Sequence, residues 1–561
     1  MRFSRLTKAL ERLHNPGSKY TAWQIQRWLW RVLQGNRLQV AFNAVIGLLG
    51  VGCSLLMVAV MQHTIDMASG AAEGSFYWGV AFMGLIILGE FALGISHTWI
   101  RNILGVKAQN RMQQQTLDRL LRAEWRGKNS YHSGDIINRL EQDVQTVVNF
   151  VTETLPNTLS VVTLFVGAFL YLVQMDVWLA FTTVAILPVF MLVSRIYLAR
   201  MRNYTRRVRS SDSQVQSLLT ETVQNRMLIK TLEAGNLMVD RLVGTHTELR
   251  MHVRQRTKFS IMSNLFVNGG FSLGYLVAFL WGAVRMSAGT ITFGQMTAFL
   301  QLVNRIQGPA RDLTRLAPAF VGVFTAAERL MEIEEVPLEI QGEGILMDPP
   351  CGIRVNDVSY TYDDATEPVI SHLSFDFKPG TCTAILGETG AGKTTLVRII
   401  LALMKPKGGS VEIYNGSRAD VVTPLHRCNL VYVPQGNTLL SGTIRDNLRL
   451  GKPAATDDEL WQVLHLVCAD FVASLPKGLD TVCSESGAGL SEGQAQRIAI
   501  ARALLRDRCI MLFDEATSAI DPDTERQLLQ NILSDHRKTV IFITHRPAVI
   551  DYCNQVMRVE S

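Results

Sequence analysis

The residues best suited to chemistry lie in the C-terminal third of the sequence. Gly387, Glu388, Thr389, Gly390, Ala391, Gly392, Lys393, Thr394 and Thr395 run consecutively, after an apolar strand over 382–386 and before a helical run over 396–404. In that strand–loop–helix setting the spacing is a phosphate loop. Its glycines let backbone N–H groups wrap phosphate oxygens, and the helix N-terminus adds the positive end of its dipole. Lys393 is expected to reach the β- and γ-phosphates of ATP, and the Thr394 hydroxyl to ligate Mg2+.

A second apolar strand, over 509–513, runs into Asp514 and Glu515. A buried parallel strand ending in a carboxylate describes a metal site. Asp514 is expected to hold Mg2+, and Glu515 to orient and polarise an attacking water. Alone, Glu515 would be an exposed carboxylate at a strand end; beside a phosphate loop that reading loses weight. Shortly before this strand, Leu490, Ser491, Glu492, Gly493 and Gln494 open a helical run over 495–505. A serine at a helix N-terminus is another anion site. The chain already has a phosphate loop, so the economical reading is that Ser491 closes over ATP held by a second copy. Two ATPs would then be sandwiched between two such domains.

The elements that hold these residues are of two kinds. The 561 residues are 48% hydrophobic with a mean hydropathy of +0.15, enough length for two or more domains. The average hides long apolar runs early in the chain and a soluble α/β pattern late in it. Candidate spans cover 40–61, 76–97, 147–173, 177–196, 259–284, and 293–303 onward. About 20 apolar residues cross a hydrocarbon core of ~30 Å. The sixth is the weakest, interrupted by Asn304, Arg305 and Gln307. It is retained because five spans would strand the phosphate loop on the wrong side. Residues 65–75 and 174–176 lack Lys and Arg, whereas 101–139 and 200–258 are rich in both, and Arg2, Arg5, Lys8 and Arg12 lead the chain. Positive-inside bias places both termini in the cytosol.

Residues 76–124 contain no proline, so one helix of roughly 70 Å is predicted there, projecting well beyond a bilayer. A similar projection is expected around 210–248. Trp23, Trp28 and Trp30 with Arg27 and Arg31 suit a helix lying in the membrane interface, against plain helix packing. Glu90, Glu153 and Arg305 are candidates for a cavity lining or for pairing inside the bundle. Gly269, Gly270 and Gly274 are expected to allow close helix contact. The formal charge of +6 is modest and flanks apolar runs, which argues against a nucleic-acid partner. The eight cysteines show no zinc spacing and no CxxC motif, so reduced cytosolic thiols are expected. No cleavable signal peptide is expected at the N-terminus.

With these motifs in place, the sequence closely resembles the ABC transporter family over nearly its whole length. The likeness is to half-transporters of the exporter type (type IV), whose six-helix membrane domain is fused to an ABC ATPase. Leu490 to Gln494 resembles the family signature, with Glu492 where glycine is usual. The resemblance implies that Ser491, Gly493 and Gln494 contact nucleotide. It implies that Gln435, in Val433-Pro434-Gln435, senses Mg2+, and that His545, in Ile543-Thr544-His545, contacts the γ-phosphate. Tyr362 would stack on adenine, and the loop from Ser518 to Asp521 would cross a dimer interface. The segment from Ser441 to Asn447 is similar to the one that follows the family's glutamine loop, and Glu485 to an exporter element before the signature. Coupling helices would lie near 129–134 and 221–227.

The fold class expected is therefore an α-helical polytopic membrane domain plus an α/β P-loop ATPase of the ABC type. Residues 1–35 would form a cytosolic N-terminus with an interfacial helix, 36–330 the transmembrane domain, 331–350 a linker and 351–561 the nucleotide-binding domain. The implied cofactors are ATP and Mg2+. The implied activity is ATP-driven export or flipping of an amphipathic lipid, peptide or drug by alternating access, with a second copy or a homologous half-transporter as partner. An importer on the same fold and a nucleotide-gated regulator or channel are the alternatives. The expected location is among the lipids of a bacterial inner (plasma) membrane.

Overall fold

The structure, a computed structural model, describes residues 19–32, 34–125, 133–362, 365, 367–388, 390–483 and 489–559. Thr389, Glu485 and most of 129–134 lie outside these residues. The chain forms two compact units, one of residues 1–117 and 137–332, the other of residues 118–136 and 333–561.

The first unit is helical. Helix α1 (Ala22–Val32) precedes α2 (Arg37–Ala68), α3 (Phe76–Arg122), α4 (Gly134–Met175), α5 (Val177–Gln224), the short α6 (Arg226–Thr231), α7 (Gly235–Ser287) and α8 (Phe293–Glu335). Among the described residues α2, α3, α4 and α7 each carry a stretch long and apolar enough to cross a membrane. Helices α5 and α8 complete the six long helices. α3 runs for 47 residues, about 70 Å. Of the polar residues that interrupt α8, buried Gln307 is satisfied internally, donating to the Phe271 carbonyl at 3.2 Å.

The turn between α4 and α5 holds three elements together. Asp176 accepts from Leu179 N at 3.0 Å and from Trp281 Nε1 at 3.2 Å, and pairs with Arg285 at 3.3 Å. Two π-helical turns, Arg139–Asp143 and Phe150–Thr154, interrupt α4. Such turns re-aim a helix face; here Arg139 pairs with Glu332 at 2.8 Å and Asp143 with Arg329 at 3.1 Å, fixing α4 to α8. Glu153 pairs with Arg101 at 3.1 Å.

Two expectations change. Of the three tryptophans in α1, Trp23 and Trp30 are exposed, but Trp28 is 3% exposed and packs with Val144, Val147 and Phe324. Helix packing thus claims Trp28. A Cβ at Gly269 would meet nothing within 4 Å, so that glycine makes no close approach within this chain, whereas Gly270 and Gly274 are buried. Close approaches occur at other glycines, among them Gly79, where a Cβ would lie 2.3 Å from Thr64 Oγ1, and Gly294, where it would lie 2.4 Å from the Gln62 carbonyl.

The second unit is built on two sheets. Strands β1 (Gly352–Tyr360), β2 (Ile370–Phe377), β4 (Gly408–Tyr414) and β5 (Ala419–Val421) form an antiparallel sheet in the order β2-β1-β4-β5. Strands β3 (Cys382–Leu386), β6 (Leu430–Val433), β9 (Ile510–Asp514), β10 (Thr539–Ile543) and β11 (Gln555–Arg558) form a parallel sheet in the order β11-β3-β10-β9-β6. A short pair, β7 (Gly442–Thr443) and β8 (Val482–Cys483), stands apart. Every residue of β9 and β10 is buried, as expected of parallel strands covered on both faces. One apolar core lies between the two sheets; the other packs helices such as α10 (Glu492–Leu505) and α11 (Pro522–Leu533) on the parallel sheet.

Helix α8 continues to Glu335, so the first part of the 331–350 segment is helical. Arg427 anchors the rest. It pairs bidentately with Glu339 at 2.6 and 2.7 Å and donates to the Leu401 carbonyl at 2.8 Å. Glu124 joins the same unit through Lys405 at 2.7 Å. All eight cysteines are free, although Cys382 and Cys553 place their sulfurs 2.9 Å apart, a proximity that no sequence spacing announced.

Candidate nucleotide site

The parallel sheet brings the separated motifs together. β3 ends at Leu386, β6 at Val433, β9 at Asp514 and β10 at Ile543, and the register pairs Ile543 with both Ile385 and Asp514. The phosphate loop, Gln435, Asp514, Glu515 and His545 therefore all leave the sheet from its carboxyl edge, where open α/β sheets bind ligands.

The loop fits a phosphate chain. Gly390 and Gly392 take φ of +99° and +91°, left-handed values that glycine adopts freely. A Cβ at Gly392 would also lie 2.8 Å from the Val369 carbonyl. Helix α9 (Lys393–Ile400) starts at Lys393, three residues earlier than the sequence pattern indicated, and no side chain caps it. Its first N–H groups are thus left for an anion. Thr394 is exposed and Thr395 is buried, which separates their tasks. The Thr395 hydroxyl meets the Tyr362 hydroxyl at 3.0 Å, seating the Tyr362 ring beside the loop helix.

Lys393 Nζ donates to the carbonyls of Gly387 and Glu388 and meets His545 Nε2 at 3.1 Å. Glu515 accepts from Gln435 Nε2 at 2.6 Å and lies 3.9 Å from His545 Nε2. Four residues expected to act together thus form one connected cluster. Glu515 has φ of +47°, a strained value for a residue with a Cβ and one that gathers at functional sites. Its N–H donates to the Ile543 carbonyl at 2.9 Å, which holds the strained turn in place.

Asp514 is buried, and that burial pushes its carboxyl above the usual range. The Tyr432 hydroxyl donates to Asp514 Oδ2 at 3.0 Å and pulls it back towards ionisation. Burial and the neighbouring carboxylate push the Tyr432 phenol up in turn, so the phenol stays a donor. Sequence reading missed Tyr432. A strand aromatic 82 positions away gives no local signal of its partner.

Ser491 caps α10: its hydroxyl oxygen accepts from Gln494 N at 3.2 Å, while Gln494 Oε1 accepts from Ser491 N at 2.9 Å. This reciprocal capping box leaves the Ser491 O–H free to donate to an anion. Gly493 is constrained: a Cβ there would lie 2.4 Å from the Ala519 carbonyl. Among the described residues, no hydrogen bond or ion pair joins Ser491 or Gln494 to the phosphate loop. Asp521 caps α11, accepting from Thr524 N at 3.0 Å, which holds its carboxyl below the usual range.

Two further residues tie these parts together. Gln496 donates to Ser518 Oγ at 3.1 Å and accepts from Ala519 N at 3.1 Å. Arg546 donates to the carbonyls of Ser518 and Ile520 at 2.7 and 3.1 Å and to Glu525 at 2.8 Å. The loop before α11 is thereby fastened both to the signature helix and to the residue after His545.

A phosphate-loop site at the carboxyl edge of a parallel sheet, in one chain with six long helices, defines a membrane protein that uses a nucleotide. Comparison with known proteins agrees. Residues 40–310 match the family model of the ABC transporter transmembrane region, and residues 370–518 match the family model described as ABC transporter. The chain belongs to the ABC transporter family. It is a half-transporter, an ATP-hydrolysing transport protein with one membrane unit and one ATPase unit.

Among its relatives is the ATP-dependent lipid A-core flippase of Bordetella avium (strain 197N), 27% identical over 90% of this chain and 86% of that one. Another is the ABC transporter ATP-binding protein YfiB of Bacillus subtilis (strain 168), 28% identical over 86% and 84%. The structure of a bacterial Atm1-family ABC exporter with ATP bound shares the fold, with a TM-score of 0.76, 22% identity and 93% coverage of both chains.

Proposed function

We propose that two copies of this chain bind two Mg-ATP between their ATPase units and use them to export or flip an amphipathic compound. In this reading Lys393 and the backbone of Gly387, Glu388, Thr389, Gly390, Ala391 and Gly392 hold the phosphates. Thr394 and Asp514 hold Mg2+, and Gln435 reports its presence. Tyr362 faces the base. Ser491, Gly493 and Gln494 of one copy close over the ATP of the other, with Asp521 at the junction. The metal would supply charge neutralisation at the phosphates. Glu515 polarises the attacking water, and His545 steadies the γ-phosphate.

The observation that carries this reading is the linked cluster of Lys393, His545, Glu515 and Gln435. A protein that only senses nucleotide has no need of a general base poised there. ATP favours the closed pair because it makes contacts there that the open pair lacks, which is what a ligand-driven shift requires. The charge asymmetry of the loops favours an ATPase unit in the cytosol, and bacterial relatives favour the bacterial plasma membrane. The flippase among the relatives favours a lipid-like cargo.

The test is Mg-ATPase activity of the purified chain in lipid nanodiscs, with panels of lipids, peptides and drugs and Glu515→Gln as the blank. Turnover by the wild type alone, stimulated by one panel, supports a self-sufficient pair and names the cargo class. A wild type as silent as the blank refutes it.

A further inference from the structure

Helices α5 and α7 pack antiparallel just beyond their apolar stretches. The Tyr204 and Phe259 rings lie 5.3 Å apart, and Ser211 Oγ meets His252 Nδ1 at 2.8 Å. Both pairs define one register, in which position 207 is level with 256 and position 209 with 254. On α5 this band carries Arg200, Arg206, Arg207 and Arg209, all exposed. On α7 it carries Arg250, Arg254 and Lys258, exposed, and Arg256, half-buried.

Residues 196–211 and 249–262 contain no Asp or Glu. The first acids, Asp212 and Glu248, come at the far end of the band. Among the described residues none of these eight cations makes an ion pair. Like charges on neighbouring helices repel, and the register sets Arg207 level with Arg256 and Arg209 level with Arg254. Membrane insertion sorts cations to this side, but packing within the chain gives no reason to gather eight of them without one acidic partner. The band covers roughly 20 Å of helix and begins where the apolar runs end, a few residues past Ile196 on α5 and beside Phe259 on α7. With the apolar stretches of α5 and α7 in a bilayer, the start of the band would fall at the lipid headgroups, and the cations nearest to it would lie within about a Debye length (~8 Å) of them.

We infer that this band is a docking surface for the anionic headgroups of phospholipids in the leaflet facing the ATPase unit. The inference rests on the membrane orientation given under the proposed function. Clusters of four to eight Lys and Arg immediately beyond a span attract anionic lipid, and long cationic side chains at span ends reach into the headgroup layer. Arginine also suits a phosphodiester because its planar fork can make two parallel N–H···O bonds. Because the helices α5 and α7 are joined through α6, lipid bound here would brace the two together.

The experiment uses the full chain in nanodiscs of phosphatidylcholine with graded phosphatidylglycerol. Spin-labelled phosphatidylglycerol and phosphatidylcholine report the relative association of each lipid with the protein. The wild type should prefer phosphatidylglycerol several-fold, with the preference collapsing in high salt. R206Q/R207Q/R209Q and R254Q/R256Q/K258Q should each lose at least half of it, and R206K/R207K/R209K should keep most of it. R226Q/K230Q, on α6 and outside the band, should leave it intact. Wild-type preference in both glutamine variants overturns the inference. So does a loss confined to binding of soluble fluorescent ATP, which would make the band a site for free anions. Wild-type ATPase turnover in the same discs tells failure of this surface apart from failure of the transport reading.

Discussion

Replacing Tyr432 by Phe removes one hydroxyl and little else, and the structure sets its expected effect. The lost bond is the 3.0 Å donation to Asp514 Oδ2, made by a half-buried phenol to a buried carboxylate. Hydrogen bonds to charged groups contribute about 1.5–3 kcal/mol, which corresponds to a factor of roughly 10–150 in an equilibrium constant. Loss of an outer partner of a metal-binding carboxylate typically costs about 10–100-fold in metal affinity or activity. The Mg2+ concentration for half-maximal binding of a fluorescent ATP analogue should therefore rise by at least about tenfold. The Mg2+ dependence of ATPase activity should shift with it, while the rate at saturating Mg2+ changes less. The sign with pH follows from the same geometry. Asp514 already titrates high because it is buried, and the Tyr432 hydroxyl opposes that shift. Removing the hydroxyl raises Asp514 further. Its ionised form is present above its pKa and lost as pH falls through it, so the acid limb of metal binding should move to higher pH. An unchanged Mg2+ requirement together with a lower maximal rate would refute the assignment and place the hydroxyl in the chemistry or the fold instead.

Ser491→Asp keeps a good helix cap but sets a carboxylate where the second copy's phosphates are expected. Thermal unfolding should stay near wild type while ATPase activity vanishes; loss of both would mean that the cap explains Ser491 fully. Gly493→Ala drives a Cβ to 2.4 Å from the Ala519 carbonyl, and overpacking of this kind costs about 1–3 kcal/mol. The variant should show a lower melting temperature and impaired turnover, and a silent substitution would show that the loop yields freely. Arg546→Met strips the partner from Glu525, whose side chain is 2% exposed, and breaking such a buried pair costs about 3–5 kcal/mol. Adding Glu525→Gln should recover stability without recovering activity, because the loop at 518–520 is still unfastened. Recovery of both would reduce Arg546 to a structural ion pair.

The sequence alone carried what is local or periodic. The run from Gly387 to Thr395 needs only neighbours to be read, because a tight glycine loop and an uncapped helix start are properties of one short segment. Spans such as 40–61 were legible because a bilayer demands one long apolar helix, and the basic loops beside them because membrane insertion sorts charge. Boundaries moved where end effects compete: β9 extends to take in Asp514, and α9 starts at Lys393.

What the tertiary structure decided are relations between residues far apart in the chain. Parallel pairing of β10 with β3 and β9 aligns Ile543, Ile385 and Asp514, and only that register delivers His545 to both Lys393 and Glu515. Tyr432, Gln496 and Arg546 act through partners on other elements, so nothing in their own neighbourhoods marks them. The same holds for Trp28, which periodicity could place on a helix but which only packing against Val144 and Phe324 turned inward. It holds too for the cations of α5 and α7, separate in sequence until two side-chain contacts set them in one band. Local spacing fixes which groups a segment can offer; the pairing of segments fixes which groups meet, because hydrogen bonds and ion pairs act only over a few ångströms.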